Sequence, residues 1–177
     1  KGSQFHVIDS FSKSVQLGHG LEASGRLSRA SMARTAQALQ ICRRKIEQHD
    51  VKRMRLVATE ACRRAKNAGE FLKFVQRETG LPLEIIQPEE EARLAVVSCA
   101  PLVSTRTEQL LVVDIGGGST ELVWIDLSAV PRADRPRAIM RLHAGFHPPE
   151  SPFPAAKVVD WISVPLGVAT LKDQFAD

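Results

Sequence analysis

The chain has 177 residues, enough for one ordinary domain or parts of two and for a real buried core. Its composition, 44% hydrophobic and 25% charged, is that of a globular protein, and no apolar run approaches the roughly 18 to 20 residues of a membrane span. A net charge of +4 and a pI near 9.2 suit an anionic ligand but are too mild to argue for nucleic acid, and with no tyrosine a base-stacking surface is not expected.

Cys42, Cys62 and Cys99 are widely spaced and form no CxxC pattern, which predicts structural thiols in a reducing cytoplasm. No signal peptide is visible, although "KGSQFHVIDS" opens as if mid-domain, without an initiator methionine.

In chain order, "FHVIDSFSKSVQLG" is rich in β-formers and predicts an extended strand or a pair of strands, broken by Gly18, Gly20 and Gly25. Ser28 is placed to N-cap a helix from about Arg29 to His49, with Met32, Ala36, Leu39 and Ile46 along one face. "RMRLVAT" predicts a short strand. "EACRRAKNAGEFLKFVQRETG" predicts a helical stretch, softened at Asn67 to Gly69 and stopped by Gly80. "LPLEIIQ" follows as a strand, and "PEEEARLAVVSCAPLV" as a helix with proline in its first turn.

Two strands then flank three glycines in "LLVVDIGGGSTELVWIDL". Residues 128–157, which include "SAVPRADRPR" and "HAGFHPPESPFPAAK", predict a flexible proline-rich insertion. "VVDWISVPLG" resumes as a strand and "VATLKDQFAD" as the start of a helix. This alternation predicts an α/β architecture around a central sheet.

The glycines fit neither familiar phosphate loop. No lysine follows, as a P-loop requires, and "STELVWIDL" alternates like a strand where a dinucleotide fingerprint would open a helix. The motif is strand, glycine turn, strand. Asp114 ends the first strand, where its carboxyl group can hold a metal ion through water. Gly116, Gly117 and Gly118 let backbone N–H groups approach phosphate oxygens, and Ser119 and Thr120 add hydroxyls. A plain turn that needs unusual dihedrals is the alternative. Glu121 is costly in an apolar strand unless a metal, a water or an arginine satisfies it, or unless the position is exposed.

"DIGGGSTEL", preceded by "ATEACRRA" and "PEEEARLA", resembles the exopolyphosphatase and guanosine pentaphosphate phosphohydrolase family, and the resemblance runs on to "SVPLGVATL". It implies a two-lobed, actin-like, ribonuclease-H-type α/β fold, with residues 1–107 in the first lobe and 108–177 beginning the second. It implies catalytic roles for Glu91, which orients or deprotonates the attacking water, and for Glu121. Asp114 and Glu121 would lie at a Mg²⁺ ion or another divalent cation, Gly116 to Thr120 would form a phosphate loop, and Arg63 would face phosphate.

The family's first phosphate loop, a D-x-G-S/T-N-S-like hairpin, would precede Lys1, and the second lobe would continue beyond Asp177. A fragment of a larger, cytoplasmic, homodimeric enzyme is therefore expected, acting on polyphosphate or guanosine pentaphosphate without nucleic-acid or membrane partners. From the residues alone, Glu89, Glu90 and Glu91 equally suit a helix macrodipole, and Arg63 with Arg64 a solvated helix face. Rival functions are an actin-like-fold small-molecule kinase and a non-catalytic polyphosphate- or nucleotide-binding fragment. His6, His19, His49, His143 and His147 show no metal-ligand spacing.

Overall fold

A computed structural model describes residues 6–146 and 155–175. Residues 1–5, His147 with the rest of 147–154, and the last two residues of the expected final helix lie outside them. The chain divides into two compact units, one running up to Ile86 and resuming at Val168, the other Gln87–Gly167.

The first unit is built around a strand–helix–strand repeat. Strand β1 (Val57–Ala58) pairs in parallel with β2 (Glu84–Ile85), as a crossover through helices requires. Helix α1 (Leu21–Ser24) and the 20-residue α2 (Arg29–Gln48) precede β1, and α3 (Glu60–Arg64) and α4 (Ala68–Thr79) form the crossover. Ser28 caps α2 as expected, its hydroxyl accepting from the Ser31 N–H at 3.1 Å. Gly80 ends α4 at φ 70°, a left-handed conformation that favours glycine. Leu27, Cys62, Phe71 and Val75 form the core between these helices. Burial pushes the Cys62 thiol up to about 11, so it is an inert structural thiol, as read from the cysteine usage.

The expected helical stretch after residue 60 is interrupted at 65–67 for a physical reason. The buried Asn67 side chain accepts from the Leu27 N–H at 2.8 Å and donates to the Leu27 carbonyl at 3.0 Å. The Lys66 N–H also reaches the Gly25 carbonyl. Tying the 25–27 loop to the crossover uses the polar groups that a continuous helix would need.

The expected N-terminal strand is absent among the described residues. Residues 6–16 make no ladder, and Val7 and Ile8 are exposed. The segment bonds instead to side chains of α2. Arg34 donates to the Val15 carbonyl, Ser31 to the Gln16 carbonyl, and Lys45 with His49 meets Asp9. Hydrogen bonds from Lys45 and then His49 hold the Asp9 carboxyl down at about 2.

In the second unit, β3 (Gln109–Ile115), β4 (Thr120–Asp126) and β5 (Lys157–Val164) form an antiparallel sheet in the order β3-β4-β5. Helix α5 (Pro88–Ser98) packs on one face, with Ala92 and Val96 against Val112, Val123 and Ile125. Helix α5 thus packs within the Gln87–Gly167 unit, because it joins the core of the sheet that follows it.

The described part of the proline-rich stretch before residue 147 differs from the expected flexible insertion, whose residues 147–154 lie outside the described residues. Residues 132–134 and α6 (Arg135–Met140) are helical, and Ile139 is fully buried. Arg135 is buried too, donating to the carbonyls of Val130 and Thr105. Proline in the first turn of α6 needs no N–H donor there, so a proline-rich composition is compatible with an ordered helix start. Helix α7 (Val168–Gln174) follows β5 as expected.

Replacing Asn67 by alanine strands the N–H and C=O of the buried Leu27. At about 1–3 kcal/mol for each orphaned group, Asn67→Ala should cost the protein about 2–6 kcal/mol in urea unfolding. A loss well under 1 kcal/mol would show that water replaces the amide.

Candidate functional site

The hairpin at the glycines is set by its register. Ile115 faces Thr120, Asp114 faces Glu121, and on the other side of β4 Glu121 faces Ser163. Alternation along β3 buries Val112 but exposes Leu111, Val113 and Ile115, and β4 buries Glu121, Val123 and Ile125. Asp114 and Glu121 therefore share the sheet face that α5 covers. Glu121 is only 1% exposed, which excludes the reading that placed it on the surface. Its Oε1 accepts from the Ser163 hydroxyl at 2.8 Å, and its Oε2 is buried with no hydrogen-bond partner among the described residues. An unsatisfied buried carboxyl oxygen and two acids directly opposed across strands both oppose folding. A cation beside Asp114 and Glu121 relieves both.

None of the three glycines has positive φ, so unusual dihedrals do not account for them. Close approach accounts for Gly116 only. A Cβ on Gly116 would meet the Ser119 carbonyl at 3.2 Å, whereas one on Gly117 would meet nothing within 4 Å. The Gly116 N–H donates to the Ser119 carbonyl, while the Gly117 and Gly118 N–H groups take no backbone partner among the described residues.

The expected phosphate loop narrows accordingly. Ser119 is 2% exposed, and the Thr120 hydroxyl donates to the Leu166 carbonyl at 2.7 Å, so the Thr120 proton is already committed. The backbone amides at the tip, Gly117 and Gly118, have no backbone acceptor among the described residues.

The turn is buttressed from behind by residues that the sequence reading passed over. An added Cβ on Gly167 would lie 2.5 Å from the Gly117 carbonyl carbon and the Gly118 nitrogen, and 2.6 Å from the Gly116 oxygen. Ser163, Leu166 and Gly167 all lie in "SVPLG". The available signals were a lone serine in an apolar strand and a glycine four residues after it.

Glu91 lies in the first turn of α5, half-buried, in the same unit as Asp114 and Glu121. Its neighbour Glu90 is committed elsewhere, in a two-point ion pair with Arg93 at 2.6 and 2.8 Å, while Arg93 also donates to the Leu142 carbonyl. The three glutamates that sequence could not separate thus differ in position. Arg63 lies in the first unit, where its guanidinium pairs with Glu60 and donates to the Ile86 carbonyl at 2.8 Å, fastening α3 to the end of β2. The structure thus places Asp114, Glu121 and the glycine turn together, with Glu91 in the same unit and Arg63 in the other.

The family model of the Ppx/GppA phosphatase family matches residues 1–177. The chain belongs to the Ppx/GppA phosphatase family. Among solved structures it is similar to the Aquifex aeolicus Ppx/GppA phosphatase, at 34% identity and TM-score 0.65 over 99% of this chain and 49% of that one. It is also similar to an exopolyphosphatase-like protein, at 25% identity and TM-score 0.75 over 96% of this chain and 47% of that one. An exopolyphosphatase from Cytophaga hutchinsonii, at 21% identity and TM-score 0.70, shares the fold over 92% of this chain and 43% of its own. The chain spans about half the length of these relatives. The Ppx/GppA matches support the α/β actin-like reading.

Because all three contacts at Gly167 are with backbone, nothing flexible can yield to a side chain there. Gly167→Ala should destabilise the protein by about 1–3 kcal/mol, the range for overpacking. Gly117→Ala, which meets open space at an ordinary φ, should be neutral or stabilise by about 0.4–1 kcal/mol. Equal losses in thermal unfolding would contradict the buttress.

Proposed function

We propose that this chain is part of a phosphohydrolase that releases terminal orthophosphate from polyphosphate, or the terminal phosphate of guanosine pentaphosphate, by attack of water. The observation that carries the reading is the buried Glu121, with one carboxyl oxygen left unpartnered opposite Asp114 at the base of a glycine turn. Family membership supports the reaction class.

Transfer of a terminal phosphoryl group to water needs an in-line water, neutral surroundings for the phosphate oxygens and a group to hold the water. The Gly117 and Gly118 amides supply donors to an oxyanion. Asp114 and Glu121 fit Mg²⁺, which keeps several waters and is commonly held by one or two carboxylates together with substrate phosphates. No cluster of three or more His, Cys, Asp or Glu side chains suited to a metal occurs among the described residues. When bound, the ion would polarise phosphate oxygens and lower the barrier to water attack. Glu91 is proposed to orient or deprotonate the water and Arg63 to face phosphate, as the resemblance implies. No helix among the described residues is long and apolar enough to cross a membrane.

Glu121→Gln in the full-length protein should lower phosphate release about 10²-fold or more, the range for a positioned acid–base group. The same variant, with the shape kept and the buried acid gone, should melt no lower than wild type. Near wild-type turnover would remove Glu121 from the reaction. Assaying polyphosphate and guanosine pentaphosphate side by side assigns the substrate.

Gly117→Val tests the amides separately. A side chain at the tip should obstruct phosphate approach and raise KM about 10-fold or more, because interactions with bound phosphate are lost while the turn itself has room. An unchanged KM in a folded variant would mean that phosphate binds elsewhere.

A further inference from the structure

The partner of Glu121 is as informative as its unpartnered oxygen. Ser163 stands directly across from Glu121 on β5, among Trp161, Ile162 and Val164, and its hydroxyl donates to Oε1 at 2.8 Å. A serine hydroxyl has one proton to give, and here it is given to one specified oxygen of the carboxyl group.

The last torsion of a glutamate is broad and roughly two-fold, so packing alone does not decide which oxygen points where. In a site that is 1% exposed, water cannot make that choice freely either. The hydrogen bond from Ser163 engages Oε1 and leaves Oε2 as the oxygen free to act.

We propose that Ser163 is a positioning residue, which acts through Glu121 by fixing its carboxyl plane and reserving Oε2 for the reaction. The inference rests on the reading that Glu121 takes part in phosphate release. It extends that reading to a residue on a different strand, one with no assigned chemistry.

β5 suits the task because its register is pinned near this row. The sheet carries an irregularity between Trp124 and Ile125, beyond which Ile125 pairs with Val158. The shift lets Val158 and Trp161 both pack against the core although they are three residues apart. Between that shift and the Thr120–Val164 pair, Ser163 is held opposite Glu121. At the far end, the Leu166 carbonyl takes the Thr120 hydroxyl, so the strand cannot slip without releasing the turn.

The test is a double-mutant cycle in the full-length protein with Mg²⁺ and polyphosphate, using Ser163→Ala, Ser163→Thr, Glu121→Gln and the Ser163→Ala/Glu121→Gln pair. Ser163→Ala should lower kcat about 10-fold or more, the scale lost when a partner that orients a site residue is removed, with KM within about two-fold. Ser163→Thr keeps the hydroxyl and should stay within about three-fold of wild type. In the Glu121→Gln background, Ser163→Ala should change kcat by less than about two-fold, because there is no longer a carboxyl group to orient.

If Glu121→Gln lowers turnover but Ser163→Ala does not, the inference is overturned and the reading of Glu121 stands. If Glu121→Gln leaves turnover intact, the functional reading itself falls. Should Ser163→Ala fail to fold, Ser163→Cys preserves nearly the same volume with a weak donor. Undiminished kcat in that variant would equally overturn the proposal.

Discussion

One cross-strand row, Asp114–Glu121–Ser163, sets the terms for the rest of the second unit. Two acids directly opposite each other, one of them almost fully buried, form an arrangement that a sheet selected only for stability would not contain. The row survives because its neighbours in the same strands bury Val112, Val123 and Ile125 against Ala92 and Val96 of the covering helix. Each such side chain contributes on the order of 1.5–3 kcal/mol when fully buried. Several of them outweigh one unsatisfied carboxyl oxygen. The acid is therefore held in place by packing that does not depend on it.

Register is what makes that packing and the chemistry inseparable. Sheet side chains alternate with a period of two, so a slip of one residue between β3 and β4 would carry Glu121 away from Asp114 and expose Val123. Hydrophobic burial thus enforces the pairing of the acids. The glycine turn sits at the end of the same ladder, and Gly167 lies against its backbone too closely for any side chain. The tip amides and the acidic pair are consequently parts of one hairpin, the kind of support that would hold a site within the tolerances catalysis needs. The opposite face of the sheet is also apolar, with Leu111, Val113, Ile115, Trp124 and Ile162 exposed in this structure.

Much of this was legible in the order of residues. The Ser28 cap, the Gly80 stop and the strand–glycine–strand motif follow from local chemistry, since a cap or a left-handed turn involves only nearby backbone groups. The N-terminal strand was not correctly legible, because β-forming residues state a preference and a ladder needs a partner; residues 6–16 found side chains of α2 instead. Asn67 breaks its helix to hold a loop forty residues earlier, and Arg135 orders a proline-rich stretch through carbonyls at Val130 and Thr105. Such contacts are set by tertiary placement and leave no periodic trace.

The site shows the same division. Asp114, Glu121 and the glycines lie in one short run, so their association could be read directly, and burial then excluded an exposed position for Glu121. Ser163 and Gly167 lie beyond a long connection, and only the sheet order β3-β4-β5 brings them to the hairpin. The hydroxyls of Ser119 and Thr120 illustrate the converse. Sequence placed them at the phosphate, but one side chain is buried and the other is bound to the Leu166 carbonyl. A motif thus specifies which atoms are near a ligand. The hydrogen bonds those atoms already make decide which of them remain unpartnered, and the amides of Gly117 and Gly118 and Oε2 of Glu121 are among those.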